Sequence, residues 1–329
     1  MRRGRIILAT TAGVAALASC SSKPKGELMI VVDTDVAAGA NFDKFEINIT
    51  NNNYTASFNE FGSAGLPHNF PATFAIVNDG SLGAPLHLRV YAGLQGAGLT
   101  RVGAPLILRE VVTTLPTDRV VALRLRLEWA CVGNAYDKGG ADHYVESRCT
   151  EGTTCIAGSC VDWAIDSATL PTYSDAEVFG GGGRSGDGHC FDTLGCFSSG
   201  AVESIDVATC SIAKPPGASP QLNVAIASSD GLGICDADVC FVPLDANSPL
   251  GWTDAGDRVT LPSGFCRPAP GVARNRLRGA IVSTSCAAKT ASVPTCGPWS
   301  TIQDAGTADA RGPPGLPDVV TIPFEAGTD

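Results

Sequence analysis

"RVVALRLRLEW", residues 119–129, alternates with a period of two: Val121, Leu123, Leu125 and Leu127 fall on one side of an extended chain, and Arg124, Arg126 and Glu128 on the other. Successive side chains of a strand point to opposite faces, so this stretch predicts a strand with one face buried. The same period recurs upstream. In "FDKFEINIT" (42–50), Phe45, Ile47 and Ile49 oppose Glu46 and Asn48; in "PLHLRVYAGL" (85–94), Leu86, Leu88 and Val90 oppose His87, Arg89 and Tyr91. "ELMIVVDTD", "YTASFNEF", "ATFAIVND" and "APLILREVVTT" supply further short runs rich in β-branched and aromatic residues. Between them stand the turn residues Asn51-Asn52-Asn53, Asn78-Asp79-Gly80 and Leu115-Pro116-Thr117-Asp118.

These runs make about seven strands in about a hundred residues, the pattern of an immunoglobulin-like or fibronectin-III-like β-sandwich. The Cys…Trp…Cys hallmark of antibody domains is missing. Residues 27–130 contain no cysteine at all. An apolar core must therefore hold this domain, which is feasible at its size.

The cysteines begin at Cys131. Cys131, Cys149, Cys155 and Cys160 form a compact group over 131–165, built around "CTEGTTCIAGSC" (149–160). A Gly-rich segment, 166–188, reads as a linker and contains "FGGGGRSGDG". A second cysteine-rich β domain follows over 189–305, with Cys190, Cys196, Cys210, Cys235, Cys240, Cys266, Cys286 and Cys296. Its strand candidates are "LNVAIAS", "DVCFVPL", "RVTLP" and "RGAIVSTSC". Residues 306–329 read as a flexible tail in which "VVTIPF" is available as an edge strand. The expected fold class is thus all-β: sandwich, small disulfide-rich module, second disulfide-rich β domain.

The N-terminus explains the odd cysteine count. "MRRGRIILATTAGVAALASC" has a basic start (Arg2, Arg3, Arg5) and a mostly apolar run of thirteen residues, Ile6 to Ala18. A span across a bilayer core needs about 20 residues, whereas a signal peptide needs only a run of this length. The run ends in Leu17-Ala18-Ser19-Cys20. This segment resembles a bacterial lipoprotein signal peptide of lipobox type. The resemblance implies removal of residues 1–19, lipidation of Cys20, and a short tether over 20–26. Ser21 and Ser22 follow, with no Asp to suggest inner-membrane retention, so the outer membrane or cell surface is the expected location. Of 13 cysteines, Cys20 is set aside and twelve remain for pairing, as expected of a chain outside the reducing cytosol; the connectivity stays open. The order of lipobox, sandwich with "LPTDRV" before its last strand, the C-x5-C-x4-C group, and the distal "CFDTLGCF" and "PTCGPWS" resembles cysteine-rich surface lipoproteins of myxobacterial type. That resemblance carries location and modularity, and no catalytic chemistry.

Charge excludes some partners. The chain is at −10, and losing three arginines with residues 1–19, which hold no acid, takes it to −13. A chain this acidic, without a basic run, is a poor nucleic-acid binder. Membrane contact should come from the lipid, and the remaining partners to consider are an envelope protein or a glycan.

Each chemical motif has a plain structural counterpart. His143, Cys149, Cys155 and Cys160 are zinc-ligand types, but their spacing is not that of paired knuckles, and an exported chain favours disulfides. "CIAGSC" and "CDADVC" place four residues between cysteines, so neither is a CxxC redox motif. Gly180 to Gly183 with Arg184 lacks the Gly-Lys-Ser/Thr ending of a phosphate loop. Oxygen-rich segments around Asp230, Asp236, Asp238, Asp245, Asn247, Asp254 and Asp257 offer calcium ligands without EF-hand spacing; solvated turns are the competing reading. No other cofactor is expected. The four histidines, His68, His87, His143 and His189, sit in neither an HExxH nor a GxSxG context, and no catalytic residue is assigned. The leading expectation is a lipid-anchored envelope protein with a non-catalytic binding or structural role. The alternatives are an exported hydrolase with its site in the C-terminal domain, and a calcium-stabilised carbohydrate-binding module.

Overall fold

The computed structural model describes residues 26–36, 42–51, 54–61, 70–78, 84–94, 103–139, 144–181, 188–218, 221–229, 231–236, 239–248, 250–272, 277–297, 300 and 319–322. Its first seven strands are β1 (Glu27–Thr34), β2 (Phe42–Asn51), β3 (Tyr54–Phe61), β4 (Ala72–Asn78), β5 (Leu86–Leu94), β6 (Pro105–Thr113) and β7 (Val120–Leu127). They follow the alternating runs of the sequence closely. In β7, Val121, Leu123, Leu125 and Leu127 are buried, and Arg124 and Arg126 are partly exposed.

Two sheets face each other. One has the order β4-β1-β7, with β1 antiparallel to β4 and parallel to β7. The other runs β3-β2-β5-β6, antiparallel throughout. Register aligns their apolar rows: Ile47 opposes Val90 and Ile49 opposes Leu88, which in turn opposes Val111. These residues pack with Leu28, Ile30, Val32, Phe74, Ile76, Leu123 and Leu125 in one core. Burying each such side chain contributes about 1.5–3 kcal/mol, so this half coheres without a covalent tie.

The chain after residue 130 completes these sheets rather than leaving them. β8 (Ala135–Asp137) pairs with β6, and β9 (Val145–Ser147) pairs with β8, so the second sheet reaches six strands. β10 (Thr153–Ile156) and β11 (Ser159–Asp162) form a separate hairpin.

Residues 163–181 differ from a bare linker. Val112 N–H donates to the Trp163 carbonyl, Ile165 N–H to Val112, Ala122 N–H to Pro171 and Tyr173 N–H to Val120. Strand groups on β6 and β7 would otherwise lack partners, and buried backbone groups need them. A short helix, α1 (Asp175–Val178), then brings Val178 and Phe179 onto Val31 and Ala122. Gly180 lies here in the left-handed region (φ 66°), and a Cβ on it would come within 1.8 Å of the His189 carbonyl oxygen. Residues 182–187, including the rest of the glycine run and Arg184, lie outside the described residues.

The remaining region carries α2 (Thr193–Phe197) and strands β12 (Val202–Glu203), β13 (Ser211–Ala213), β14 (Asn223–Ser228), β15 (Ile234–Asp236), β16 (Val239–Leu244), β17 (Thr253–Asp254), β18 (Arg258–Thr260) and β19 (Leu277–Ser283). They build a five-stranded sheet, β12-β19-β14-β16-β15, and a three-stranded one, β13-β18-β17. The molecule is all-β, with short helical turns. Ile212, Val224, Ile226, Val242, Leu244 and Trp252 belong to the same apolar cluster as the sandwich interior. A last strand, β20 (Val319–Ile322), returns to lie parallel to β4 at the edge of the first sheet. Among the described residues no helix is long and apolar enough to cross a membrane.

Candidate functional site

Twelve cysteines form six disulfides: Cys131–Cys155, Cys149–Cys160, Cys190–Cys296, Cys196–Cys286, Cys210–Cys266 and Cys235–Cys240. Bonds of this number belong to an oxidising compartment outside the cytosol. Cys20 and His143 lie outside the described residues. The three cysteines of "CTEGTTCIAGSC" are thus staples. Their hairpin turns on Ala157 (φ 47°) and Gly158 (φ 79°). Two successive positive φ values are what a two-residue type I′ hairpin needs. Gly264 packs so closely on this turn that a Cβ there would lie 2.1 Å from the Ala157 carbonyl oxygen, which seats the hairpin directly on the C-terminal region.

"CIAGSC" and "CDADVC" have equal spacing and unequal bonding. Cys155 and Cys160 oppose each other across β10 and β11, yet each bonds to an outside cysteine. Cys235 and Cys240 oppose each other across β15 and β16 and bond to one another. Spacing alone does not distinguish these outcomes; the placement of Cys131 and Cys149 beside the first hairpin does.

Where the two halves meet, ionisable groups are buried together. Arg126, on the polar side of β7, donates to Asp33 Oδ2 from Nη2 (3.1 Å) and to Asp245 Oδ2 from Nη1 (2.9 Å). Lys289, 2% exposed, donates from Nζ to Asp245 Oδ1 (2.6 Å) and to the Thr290 carbonyl (3.1 Å). Its backbone is fixed as well: Lys289 N–H donates to Asn223 Oδ1, and its carbonyl accepts from Ala246 N–H. Burial alone would raise the Asp245 pKa, but Arg126 and Lys289 outweigh it and hold the carboxyl well below the usual range.

Beside this junction, Glu128 accepts from Ala157 N–H, and its pKa is raised by burial against the pull of Arg126. Burial lowers Arg109 to about 10, with Glu128 opposing the shift. Asp35 accepts from Trp129 N–H (2.6 Å), and burial, then Glu128, push it up to about 7. Arg109, Arg124, Arg126 and Lys289 thus lie within electrostatic reach of Asp33, Asp35, Glu128 and Asp245. Asp35 and Glu128 are the two carboxyls of the cluster that burial pushes toward the protonated form.

The calcium-candidate residues are dispersed in role. Asp245 belongs to the charged junction, and Asp254 pairs with Lys214 Nζ at 2.5 Å. Asn247 (φ 52°) makes a turn through its N–H bond to the Trp252 carbonyl. Asp236 and Asp257 are exposed, and Asp230 and Asp238 lie outside the described residues. Among the described residues, no group of three or more His, Cys, Asp or Glu is arranged to hold a metal ion.

A second polar cluster covers the outer face of β5 and β6. Arg89 donates from Nε to Glu110 Oε1 (2.8 Å) and from Nη2 to the Val145 carbonyl (2.6 Å). Its guanidinium carbon lies 5.5 Å from the centre of the Tyr144 ring. The His87 ring packs on Trp163 at 4.9 Å; its Nε2 lies 3.4 Å from Glu110 Oε1 but makes no hydrogen bond. His189 is exposed beside the disulfide-bonded Cys190, and His68 lies outside the described residues. Sequence reasoning placed His87 and Arg89 on the polar side of β5 but had no signal for Trp163 and Tyr144 joining them. No protein-family model, curated protein or solved structure matches this chain.

Proposed function

We propose that this is an exported lipoprotein, held at the outer membrane or cell surface by lipid on Cys20, with a non-catalytic binding or structural role. The observation that supports it best is the cysteine inventory. The six disulfides take up twelve of the thirteen cysteines, and the one left over stands at the end of "LASC", behind an apolar run with a basic start. Acyl chains attach a protein through about 0.8 kcal/mol per buried methylene, and stable anchoring takes more than one chain. A chain at −10 has little other attraction to an anionic bilayer.

The buried ionisable groups support a scaffold role. Asp33, Arg126, Asp245 and Lys289 neutralise one another across the junction of the two halves, which is an architectural use of charge. The test is metabolic labelling with palmitate. Label should enter the wild-type protein and be absent from Cys20→Ser, whose signal segment should also remain uncleaved. Equal labelling of both, or a mature product beginning upstream of Cys20, would overturn the proposal.

A further inference from the structure

Among the described residues, the outer face of the six-stranded sheet is covered only in part. The β8–β11 segment stands over β6: Val145 and Ala135 pack on Leu106 and Leu108, Thr154 Oγ1 accepts from Glu110 N–H, and Trp163 bonds to Val112. The cover extends to Tyr91 of β5 through the same small cluster. Beyond it, β5, β2 and β3 continue as the floor of a ledge, with the covering segment as its wall.

Directly opposed residues of antiparallel strands share a face, so the floor can be read row by row. One row is Thr55, Thr50 and His87; the next is Ser57, Asn48 and Arg89; the next brings Glu46 beside Tyr91. Ser57 Oγ donates to Asn48 Oδ1 (2.6 Å), and Asn48 Nδ2 to the Tyr91 hydroxyl (3.5 Å). At the wall stand two rings: Trp163 against His87, and Tyr144, 57% exposed, against Arg89. His87 and Arg89 are two residues apart on one strand, so their points of contact with the wall are separated by about 6.6 Å.

We infer that this ledge binds a neutral oligosaccharide. The inference deepens the binding role proposed above by naming its ligand class and its site. The floor offers amide, hydroxyl, guanidinium and carboxylate groups, which suit a ligand rich in hydroxyls. Arg89 is paired with Glu110, so the named floor residues hold no unmatched cation to attract a polyanion, and the Glu46 carboxylate accepts from the neutral Tyr91 hydroxyl. The named floor residues are polar, whereas the centre of a protein–protein interface is apolar. The wall supplies aromatic faces, apolar in body and polar at the tip, against which the C–H face of a sugar ring can stack. His87 Nε2 makes no hydrogen bond, so turning its ring toward a ligand hydroxyl breaks none at that atom.

The test is native electrophoresis of the full mature protein in gels containing dextran, mixed-linkage β-glucan, galactomannan or the anionic control alginate. At least one neutral polymer should retard the wild type. Tyr144→Ala and Asn48→Ala should each weaken that retardation about tenfold. Tyr144 is exposed, so Tyr144→Ala should melt like the wild type and carries the test if Asn48→Ala folds poorly. Retardation by none of the neutral polymers, by alginate alone, or to the same degree in Tyr144→Ala would overturn the inference. Failure of the non-catalytic reading has its own signature, the release of reducing ends from a polymer that is still bound.

Discussion

The sandwich strands β1–β7 hold together without a cysteine, whereas the stretch from Cys190 to Cys296 closes four disulfides around shorter strands. The first region has long alternating strands whose facing rows fill a core: Ile47 and Ile49 against Leu88 and Val90, with Leu123 and Leu125 across from them. In the second, β12, β13, β15, β17 and β18 span only two or three residues each, and such strands bury little apolar surface on their own. Covalent closure limits its unfolded chain instead, a mechanism whose strength grows with loop length. The comparison teaches that one chain can use both routes to stability and join them through a shared core and a buried ionic contact.

The largest expected effect tests the covalent side. Cys190–Cys296 and the Cys196–Cys286 bond nested inside it span sequence separations of 106 and 90, and each shortens the unfolded loop that the other closes. In the loop-entropy account closing a loop of about 100 residues contributes about 4.7 kcal/mol, so replacing all four of these cysteines by Ser, which removes both bonds together, should abolish or strongly lower the cooperative transition of the C-terminal region. Calorimetry should show the sandwich transition nearly unmoved. A variant that melts like the wild type would break the comparison.

Next comes the contact between the halves. Asp245→Ala leaves Lys289 without its carboxylate and Arg126 with Asp33 alone. Removing one partner of a buried pair typically costs about 3–5 kcal/mol, and chemical denaturation should register a loss of that order. The same pair predicts a pH effect. Asp245 is held below its ordinary pKa of 3.8, so its contribution is complete above that value and fades as pH falls below it. Wild type should lose stability below about pH 4 more steeply than Asp245→Ala.

A smaller effect is expected from Cys235→Ser with Cys240→Ser. This bond spans a separation of only 5, and so short a loop contributes about 2 kcal/mol. Ranking it by thermal melting against the joint loss of Cys190–Cys296 and Cys196–Cys286 sharpens the loop-length argument; equal losses would contradict it.

The last effect lies at Asp35 and shows only as a change with pH. Its pKa is raised from 3.8 to about 7, so the folded state holds a proton that the unfolded state has released. Stability from this group is therefore present below pH 3.8 and lost as pH rises toward 7. Asp35→Asn can still accept the Trp129 N–H and should flatten that decline, melting higher than wild type at pH 8 but not at pH 4. A parallel pH profile for the two proteins would place the proton elsewhere in the junction.

The sandwich was legible in the sequence because its code is local. The alternation of β7 marks both strand and face within eleven residues, and the turn residues separate it from its neighbours. Ala122 shows where that code stops: it lies on the outward side of β7 and is nevertheless buried, because residues 171–179 come back over it. The oxidised state of the cysteines was legible from their number, but their pairing was not. Two C-x4-C hairpins with the same register bond differently, depending on which cysteines a distant segment brings near. The charged junction was legible only in misread fragments. Asp245 stood out as a calcium-ligand candidate and Arg126 as an outward residue of β7, while Lys289 in "CAAKTAS" gives no sign that it is buried. The same holds for Tyr144 and Trp163, which meet β5 only after the chain has passed through the disulfide module.

Hydrogen exchange on the full mature protein, with and without reductant, tests most directly that different forces hold the two regions. Full reduction should remove protection from β14, β16 and β19 while the amides of β1, β2, β5 and β7 stay protected. Simultaneous loss of protection in both regions, or protection of β14, β16 and β19 that survives complete reduction, would contradict that division.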